Sequence, residues 1–171
     1  MTDTSNDGNP LSSDPVRITD QATAVEMTTR IIADARRRVW VRSLDLDPWL
    51  FDHTDVLDAL RGFAIHDHDV QVLILLHDHA APQAAQAKLL DLAQRLPSVF
   101  QFREVDDPAY REDRSAMVAG DAGGYYFRAE GDRFEGSACL ASRARVRQLK
   151  ERFDEVWERS RVISEYRALG I

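Results

Sequence analysis

Two histidines, His77 and His79, directly follow the most apolar stretch of this chain, residues 70–76. That stretch is continuous and rich in β-branched residues, as a strand buried on both of its faces requires. Ser43 and Asp45 lie at the corresponding end of an earlier apolar stretch. Ligands of open α/β sheets bind at the carboxyl ends of strands. The imidazole, hydroxyl and carboxylate groups are therefore predicted to line one pocket, where an imidazole could serve as a nucleophile.

Two other interpretations of these residues stay open. A His-x-His pair on a strand points both rings the same way, but no third ligand for a metal ion is identifiable. The pair His66 and His68 is of the same kind and falls in a predicted turn. In the simpler interpretation the polar residues only cap strand ends. No metal and no cofactor is predicted.

A second polar group surrounds a predicted hairpin strand, with Arg114 and Ser115 before it and Asp121 after it. Ser137 belongs to a later strand of the same region. A guanidinium offers a fork of donors to an oxyanion, and both serines could donate to the same anion. These four residues therefore predict a phosphate or other anion site. The alternative is that Arg114 pairs with Asp121, Glu112 or Asp113 in a solvated hairpin.

Bulk composition limits the class of protein. The chain has 171 residues and a formal net charge of −7, so its overall field repels nucleic acid and anionic membranes. Residues 1–15 are polar and predict a disordered tail, followed by a single domain over residues 16–171. The N-terminus lacks the basic start and apolar run of a signal peptide, and no apolar run is long enough for a membrane span. A single cysteine fits a reducing compartment, and the cytoplasm is the predicted location.

Hydrophobic periodicity predicts the elements that hold these groups in place. Their order is helix, strand, helix, strand, helix, strand, a group of hairpins and a long C-terminal helix. Alternating helices and strands predict parallel pairing, whereas the Gly- and Asp-rich turns near Gly120 and Gly131 predict antiparallel hairpins. The predicted fold is α/β, with one mixed, largely parallel central sheet and helices on both faces.

Two further features carry little functional weight. Cys139 lies in an apolar context and is interpreted as a small buried thiol. The last helix begins with basic residues between Arg143 and Arg152, but no aromatic residue alternates with them for base stacking. A solvated helix face is the simpler interpretation, and nucleic acid is not expected as a partner.

The hairpin region resembles the second half of a phospholipase D/nuclease-type repeat. The pattern of that superfamily is His-x-Lys, four residues, Asp, and then Gly-Ser and usually Asn. Counting back from Asp121 puts Arg114 at the His position and Ala116 at the Lys position. Gly136 and Ser137 match the Gly-Ser pair, and Cys139 stands at the Asn position. A Phe-x-x-x-Trp ending of the last helix also matches, at residues 153–157.

The resemblance implies a phospholipase D-like half that lacks the catalytic pair. In the superfamily the His attacks phosphorus, a step that a permanently protonated arginine cannot perform. The Lys stabilises phosphoryl charge, and an alanine offers nothing in its place. The domain is therefore expected to be non-catalytic, with a binding, regulatory or scaffolding role. The alternative is a residual phosphodiesterase or nuclease with His77 or His79 as nucleophile.

The resemblance also implies partners. Superfamily members build a full site from two repeats, so a lone repeat implies a homodimer. The chain is similar to a bacterial branch in which this domain is sometimes fused to a GNAT-type acetyltransferase, which implies an acetyltransferase or another protein as partner.

Overall fold

The computed structural model describes residues 14–171, so the predicted tail falls almost entirely outside the described residues. Within this range the chain forms one sheet with the strands β1 (Val16–Ile18), β2 (Arg38–Ser43), β3 (Gln71–Leu76), β4 (Phe100–Glu104), β5 (Ala116–Gly120), β6 (Tyr125–Arg128), β7 (Gly136–Cys139) and β8 (Arg161–Val162). The helices are α1 (Gln21–Asp34), α2 (Pro48–Phe51), α3 (Thr54–His66), α4 (Ala80–Ala84), α5 (Lys88–Arg95), α6 (Pro108–Arg111) and α7 (Arg143–Glu158), followed by a 3₁₀ helix (Ser164–Leu169).

The strands of the sheet run in the order β1-β7-β6-β5-β2-β3-β4-β8. Only the pairs β2–β3 and β3–β4 are parallel, and the other five neighbouring pairs are antiparallel. The prediction of a mixed α/β sheet is confirmed, but its largely parallel character is wrong. Helices connect the parallel strands β2, β3 and β4, whereas short turns join β5, β6 and β7 as antiparallel hairpins. The edge strands β1 and β8 also pair antiparallel with their neighbours.

Helices cover both faces of the sheet. Alternate residues of β2 point to opposite sides and therefore pack into different cores. Val39 and Val41 pack into a core with α1, α3 and α5. Trp40 packs into a second core with α7. The residues that α7 buries form an apolar stripe, Val146, Leu149, Phe153, Val156 and Trp157.

Local signals fix the ends of the principal helices. The side chain of Asp20 caps α1 by accepting a hydrogen bond of 2.7 Å from the Thr23 amide. Ser142 caps α7 in the same manner, with Arg145 as donor. None of the helices within residues 14–171 is long and apolar enough to cross a membrane.

Candidate functional site

A pocket of about 430 Å³ opens where β2 and β3 end and β5 begins. We call it the strand-end pocket. Its polar lining consists of Asp45, His77, Asp78, Arg111, Arg114 and Asp132. Parallel pairing brings the ends of β2 and β3 together, and the Asp78 amide donates to the Leu44 carbonyl at 2.8 Å. Antiparallel pairing of β5 with β2 brings Arg114 to the same edge.

A buried arginine lies behind the pocket. The Arg42 side chain is only 4% exposed, and its Nη1 donates to Asp113 Oδ2 at 3.2 Å. Its Nη2 donates to the Asp113 carbonyl at 2.8 Å and lies 3.3 Å from His77 Nε2. Within residues 14–171 its Nε has no hydrogen-bond partner. Burial lowers the pKa of Arg42, but a guanidinium stays protonated in proteins, so a permanent positive charge sits at this position.

His77 is neutral at physiological pH. Burial, followed by the charges of Arg42 and Arg114, lowers its pKa to about 4. Because a guanidinium can only donate, Nε2 of His77 must accept from Arg42 and the ring proton must lie on Nδ1. His77 therefore contributes a neutral ring, and the lone pair on its unprotonated nitrogen accepts the hydrogen bond from Arg42.

Asp113 completes this network. Burial raises its pKa, but hydrogen bonds from Ser115 and the charge of Arg42 outweigh burial and lower the pKa overall. The Ser115 amide donates to Asp113 Oδ1 at 3.1 Å. Ser115 thus positions the start of β5. Because Asp113 is engaged with Arg42, it does not pair with Arg114.

Arg114 is exposed, and its side chain makes no ion pair or hydrogen bond within the described part of the chain. The solvated pairing with Asp121 or Asp113 that the sequence left open is absent there. Arg111 ends the short helix α6, which begins at the cap Asp107. Its Nε donates to the Val105 carbonyl at 3.3 Å, which holds its guanidinium at the pocket.

The loop that carries Asp45 is held by a buried ion pair. Arg128 is 1% exposed, and its Nη2 lies 2.6 Å from Asp47 Oδ2. Ser43 Oγ donates to the same carboxylate at 2.8 Å and accepts from the Leu46 amide at 2.9 Å. Leu46 and Asp47 have φ values of 68° and 31°, in the left-handed region that L-residues rarely adopt. Ser43 therefore supports this loop from a buried position.

Asp121 and Ser137 do not reach the strand-end pocket. Asp121 lies at the opposite end of β5, where its carboxylate accepts from the amides of Arg36 and Arg37 at 2.8 and 2.9 Å. Ser137 lines a different pocket of about 540 Å³, together with Arg17 and Phe127. The structure thus divides the predicted anion site.

His79 belongs to a separate cluster that fastens the C-terminal segment. Its Nδ1 contacts Glu104 Oε2, and its Nε2 lies 3.3 Å from Glu165 Oε1. Arg161 bonds both carboxylates, at 2.8 Å to Glu104 and 3.1 Å to Glu165. Tyr166 donates to the His79 carbonyl at 2.8 Å. Of the eight predicted site residues, Asp45, His77 and Arg114 line the strand-end pocket, and Ser115 borders it.

Sequence reasoning missed Arg42, Arg111 and Asp132. Arg42 carried a usable signal, because a charged residue inside an apolar strand is rarely buried without a partner. Its partner Asp113 is 71 positions away and had no local signal. Among residues 14–171, no group of three or more His, Cys, Asp or Glu side chains is placed to hold a metal ion.

Residues 20–169 match the family described as Domain of unknown function (DUF7931). The chain belongs to this family. No curated protein matches the chain significantly in sequence.

Several solved structures are similar to the fold. NucT from Helicobacter pylori has a TM-score of 0.60 and 12% sequence identity, over 88% of this chain and 98% of that one. Nuc from Salmonella typhimurium, described as a phospholipase D family member, has a TM-score of 0.57 and 13% identity, over 87% of this chain and 98% of that one. TrmBL2, described as an archaeal chromatin protein with a novel mode of DNA binding, has a TM-score of 0.59 and 17% identity, over 87% of this chain. The chain spans only 54% of TrmBL2. The fold is thus phospholipase D-like.

The TrmBL2 comparison corrects the expectation that nucleic acid is not a partner. This fold occurs in a protein described as DNA-binding. The sequence argument also overlooked tertiary placement, because aromatic rings from other elements do lie beside the basic residues of α7. The guanidinium carbons of Arg145 and Arg152 lie 5.2 Å from the Phe127 ring and 5.1 Å from the Tyr110 ring, and Lys150 Nζ lies 5.7 Å from the Trp40 ring.

Proposed function

We propose that this domain is a non-catalytic member of the phospholipase D-like fold and binds a small phosphate-bearing ligand at the strand-end pocket. One observation carries the proposal. Arg114 lines the pocket with a guanidinium that is unpaired within the described residues, beside a second guanidinium from Arg111. Guanidinium groups with free donors bind phosphate oxygens in charge-assisted, bidentate geometry.

The loss of catalysis is supported by the residues at the catalytic positions. Ala116, at the Lys position, is fully buried and lies opposite Arg128 in the β5–β6 ladder. Arg128 is the cation nearest to that position in register, and it is already neutralised by Asp47 at 2.6 Å. It is therefore not available to stabilise charge on a phosphoryl group.

The alternative nucleophiles are also engaged. His77 uses its free lone pair to accept from Arg42, and both ring nitrogens of His79 face carboxylates. A nucleophilic imidazole needs a free ring nitrogen. We therefore expect no hydrolysis of a phosphodiester such as bis(p-nitrophenyl) phosphate. Turnover that is lost in His77→Gln or His79→Gln would overturn the non-catalytic proposal.

Thermal unfolding tests the binding proposal, with a panel of inorganic phosphate, nucleotides, sugar phosphates and short single-stranded DNA. A ligand at about 100 times its Kd adds about 2.7 kcal/mol to the free energy of unfolding. In a domain of this size the midpoint should rise by about 5 °C or more. Arg114→Gln should abolish the shift. Arg30→Gln, an exposed arginine on α1, is the matched control and should leave it unchanged. A panel with no shift would contradict the proposal.

A further inference from the structure

The strand-end pocket contains charges of both signs. Arg111 and Arg114 contribute positive charge, and Asp45, Asp78 and Asp132 contribute negative charge. His77 is neutral, and the charge of Arg42 is offset by Asp113 at 3.2 Å. Three carboxylates thus face two guanidiniums. A ligand that carried only negative charge would meet like charge from the carboxylates, at a cost that rises as water is excluded.

These opposite charges do not neutralise each other within the pocket. No ion pair of 4.0 Å or less joins Arg111 or Arg114 to any carboxylate of the described chain. In the described part of the chain, Asp45 Oδ1 accepts only from the Asp47 amide, at 3.1 Å. The side chain of Asp132 makes no hydrogen bond within residues 14–171. Asp78 Oδ1 accepts from the Ala80 and Ala81 amides at 2.9 and 3.2 Å. Arg114 and the carboxylates of Asp45 and Asp132 therefore keep donors and acceptors that can bind a ligand.

The backbone holds the loop that carries Asp45 next to the loop that carries Asp132. A Cβ built on Gly131 would lie 2.6 Å from the Arg114 carbonyl oxygen and 3.0 Å from Leu44 Cγ. Asp132 and Asp45 are the chain neighbours of Gly131 and Leu44, so the close contact between Gly131 and Leu44 also holds the two aspartates near each other. The same contact brings them to the start of β5, next to Arg114.

We infer that the ligand of this pocket is a small zwitterion, with a phosphate that binds Arg114 and Arg111 and an ammonium that binds Asp45 and Asp132. This inference rests on the proposed function and names its ligand class. Matched charge patterns determine which ligand a site selects more than they determine raw affinity. A pocket of about 430 Å³ holds a molecule of the size of a phosphorylated hexose.

Glucosamine 6-phosphate and glucose 6-phosphate form a matched test pair, because they differ only in an ammonium against a hydroxyl group. Calorimetric titration at about pH 6.5 keeps the ammonium charged. We expect glucosamine 6-phosphate to bind about tenfold more tightly or better, equivalent to one charge pair of about 1.4 kcal/mol. Asp132→Asn should remove most of that preference. Asp34→Asn, an exposed carboxylate at the end of α1, should leave it intact.

The outcomes separate the two proposals. Equal affinity for both sugar phosphates, with both lost in Arg114→Gln, would overturn the zwitterion and leave the phosphate site standing. Binding of glucosamine alone, without dependence on the phosphate, would overturn the proposed function. No binding of either sugar phosphate would overturn both. Preference for glucosamine 6-phosphate that survives Asp132→Asn would also overturn the inference, because the ammonium would not lie at Asp132.

Discussion

His77 and His79 are two residues apart, yet their surroundings have opposite charge. His77 lies among arginines, and burial together with Arg42 and Arg114 lowers its pKa to about 4. His79 lies between Glu104 and Glu165, with Arg161 bridging both carboxylates. The second cluster satisfies its own charges, whereas the first leaves Arg114 unpaired at a pocket. The cluster around His79 is therefore structural, whereas the cluster around His77 has an arginine that can bind a ligand.

The largest expected effect comes from the buried arginine of the first cluster. Arg42→Met keeps the apolar stem but leaves the carboxylate and the carbonyl of Asp113 without their donor. Removing one partner of a buried pair costs about 3 kcal/mol, at the lower end of the usual range because Asp113 is 33% exposed. Urea unfolding measures the loss. Arg38→Met, on the same strand with a side chain 33% exposed, should cost less than about 1 kcal/mol. Equal losses would show that the network around His77 is not buried as described.

A smaller loss of unfolding free energy is expected when the ion pairs around His79 are removed. Arg161→Met removes the cation that bonds both carboxylates and leaves Glu104, 8% exposed, with His79 alone. Because Arg161 is itself 31% exposed, we expect about 2 kcal/mol, again by urea unfolding. Arg159→Met is the control, since its ion pair with Asp107 is long, at 3.9 Å, and exposed. Ligand binding at the strand-end pocket should survive Arg161→Met, and its loss would mean that the two clusters are coupled.

The pH dependence of stability should distinguish the two histidines. Burial lowers the folded pKa of His77 to about 4, below its unfolded value, so the unfolded state gains a proton first as the pH falls. The stability contributed by neutral His77 is full above about pH 6.5 and is lost as the pH falls towards 4. After solvent screening we expect a loss of about 1 kcal/mol between about pH 7 and pH 5.

His77→Gln should flatten this part of the profile, because the glutamine oxygen can still accept from Arg42 without titrating. Hydrogen bonds from His79 and Arg161 outweigh burial and lower the pKa of Glu104, while those from Arg161 lower the pKa of Glu165 to about 2. Carboxylates with a lowered pKa lose their stabilising effect only at lower pH, and they do so in the wild-type protein and in His77→Gln alike. A profile that is unchanged by His77→Gln would contradict the assigned tautomer and charge state.

The smallest expected effect is on the stability of the pocket variant itself. Arg114 is exposed and unpaired within the described residues, so Arg114→Gln should change the free energy of unfolding by less than about 0.5 kcal/mol. Circular dichroism melting would measure it alongside Arg30→Gln. A larger loss would mean that Arg114 has a structural partner and would weaken its assignment to ligand binding.

The sequence predicted those parts of the fold that depend on local pattern. The buried strand β3 and the stripe of α7 follow from hydrophobic periodicity alone. The edge strands β1 and β8, of three and two residues, are too short to show any alternation, and β8 exists only because it pairs with β4. The strand-end rule brought Asp45 and His77 to one place, but it also grouped His79 with them. His79 instead contacts Glu104 and Arg161. Because these residues lie on elements far from His79 in the chain, no local pattern could predict the contacts.

The motif residues show the same limit. Asp121 was expected near Arg114, but its carboxylate bonds two backbone amides some 85 positions earlier, at the far end of β5. The resemblance fixed the positions along the chain, whereas only the strand register fixes which end of β5 each residue occupies.

The close contact at Gly131 has a consequence for how this pocket can diversify. A side chain at that position would collide with the backbone of Arg114 and with Leu44, so one wall cannot be remodelled by point substitution. The loops with Asp45 and Asp78 begin after strands that pair independently of Gly131. New selectivity within this family is therefore expected to arise from changes in the length and composition of those loops, while Gly131 stays fixed.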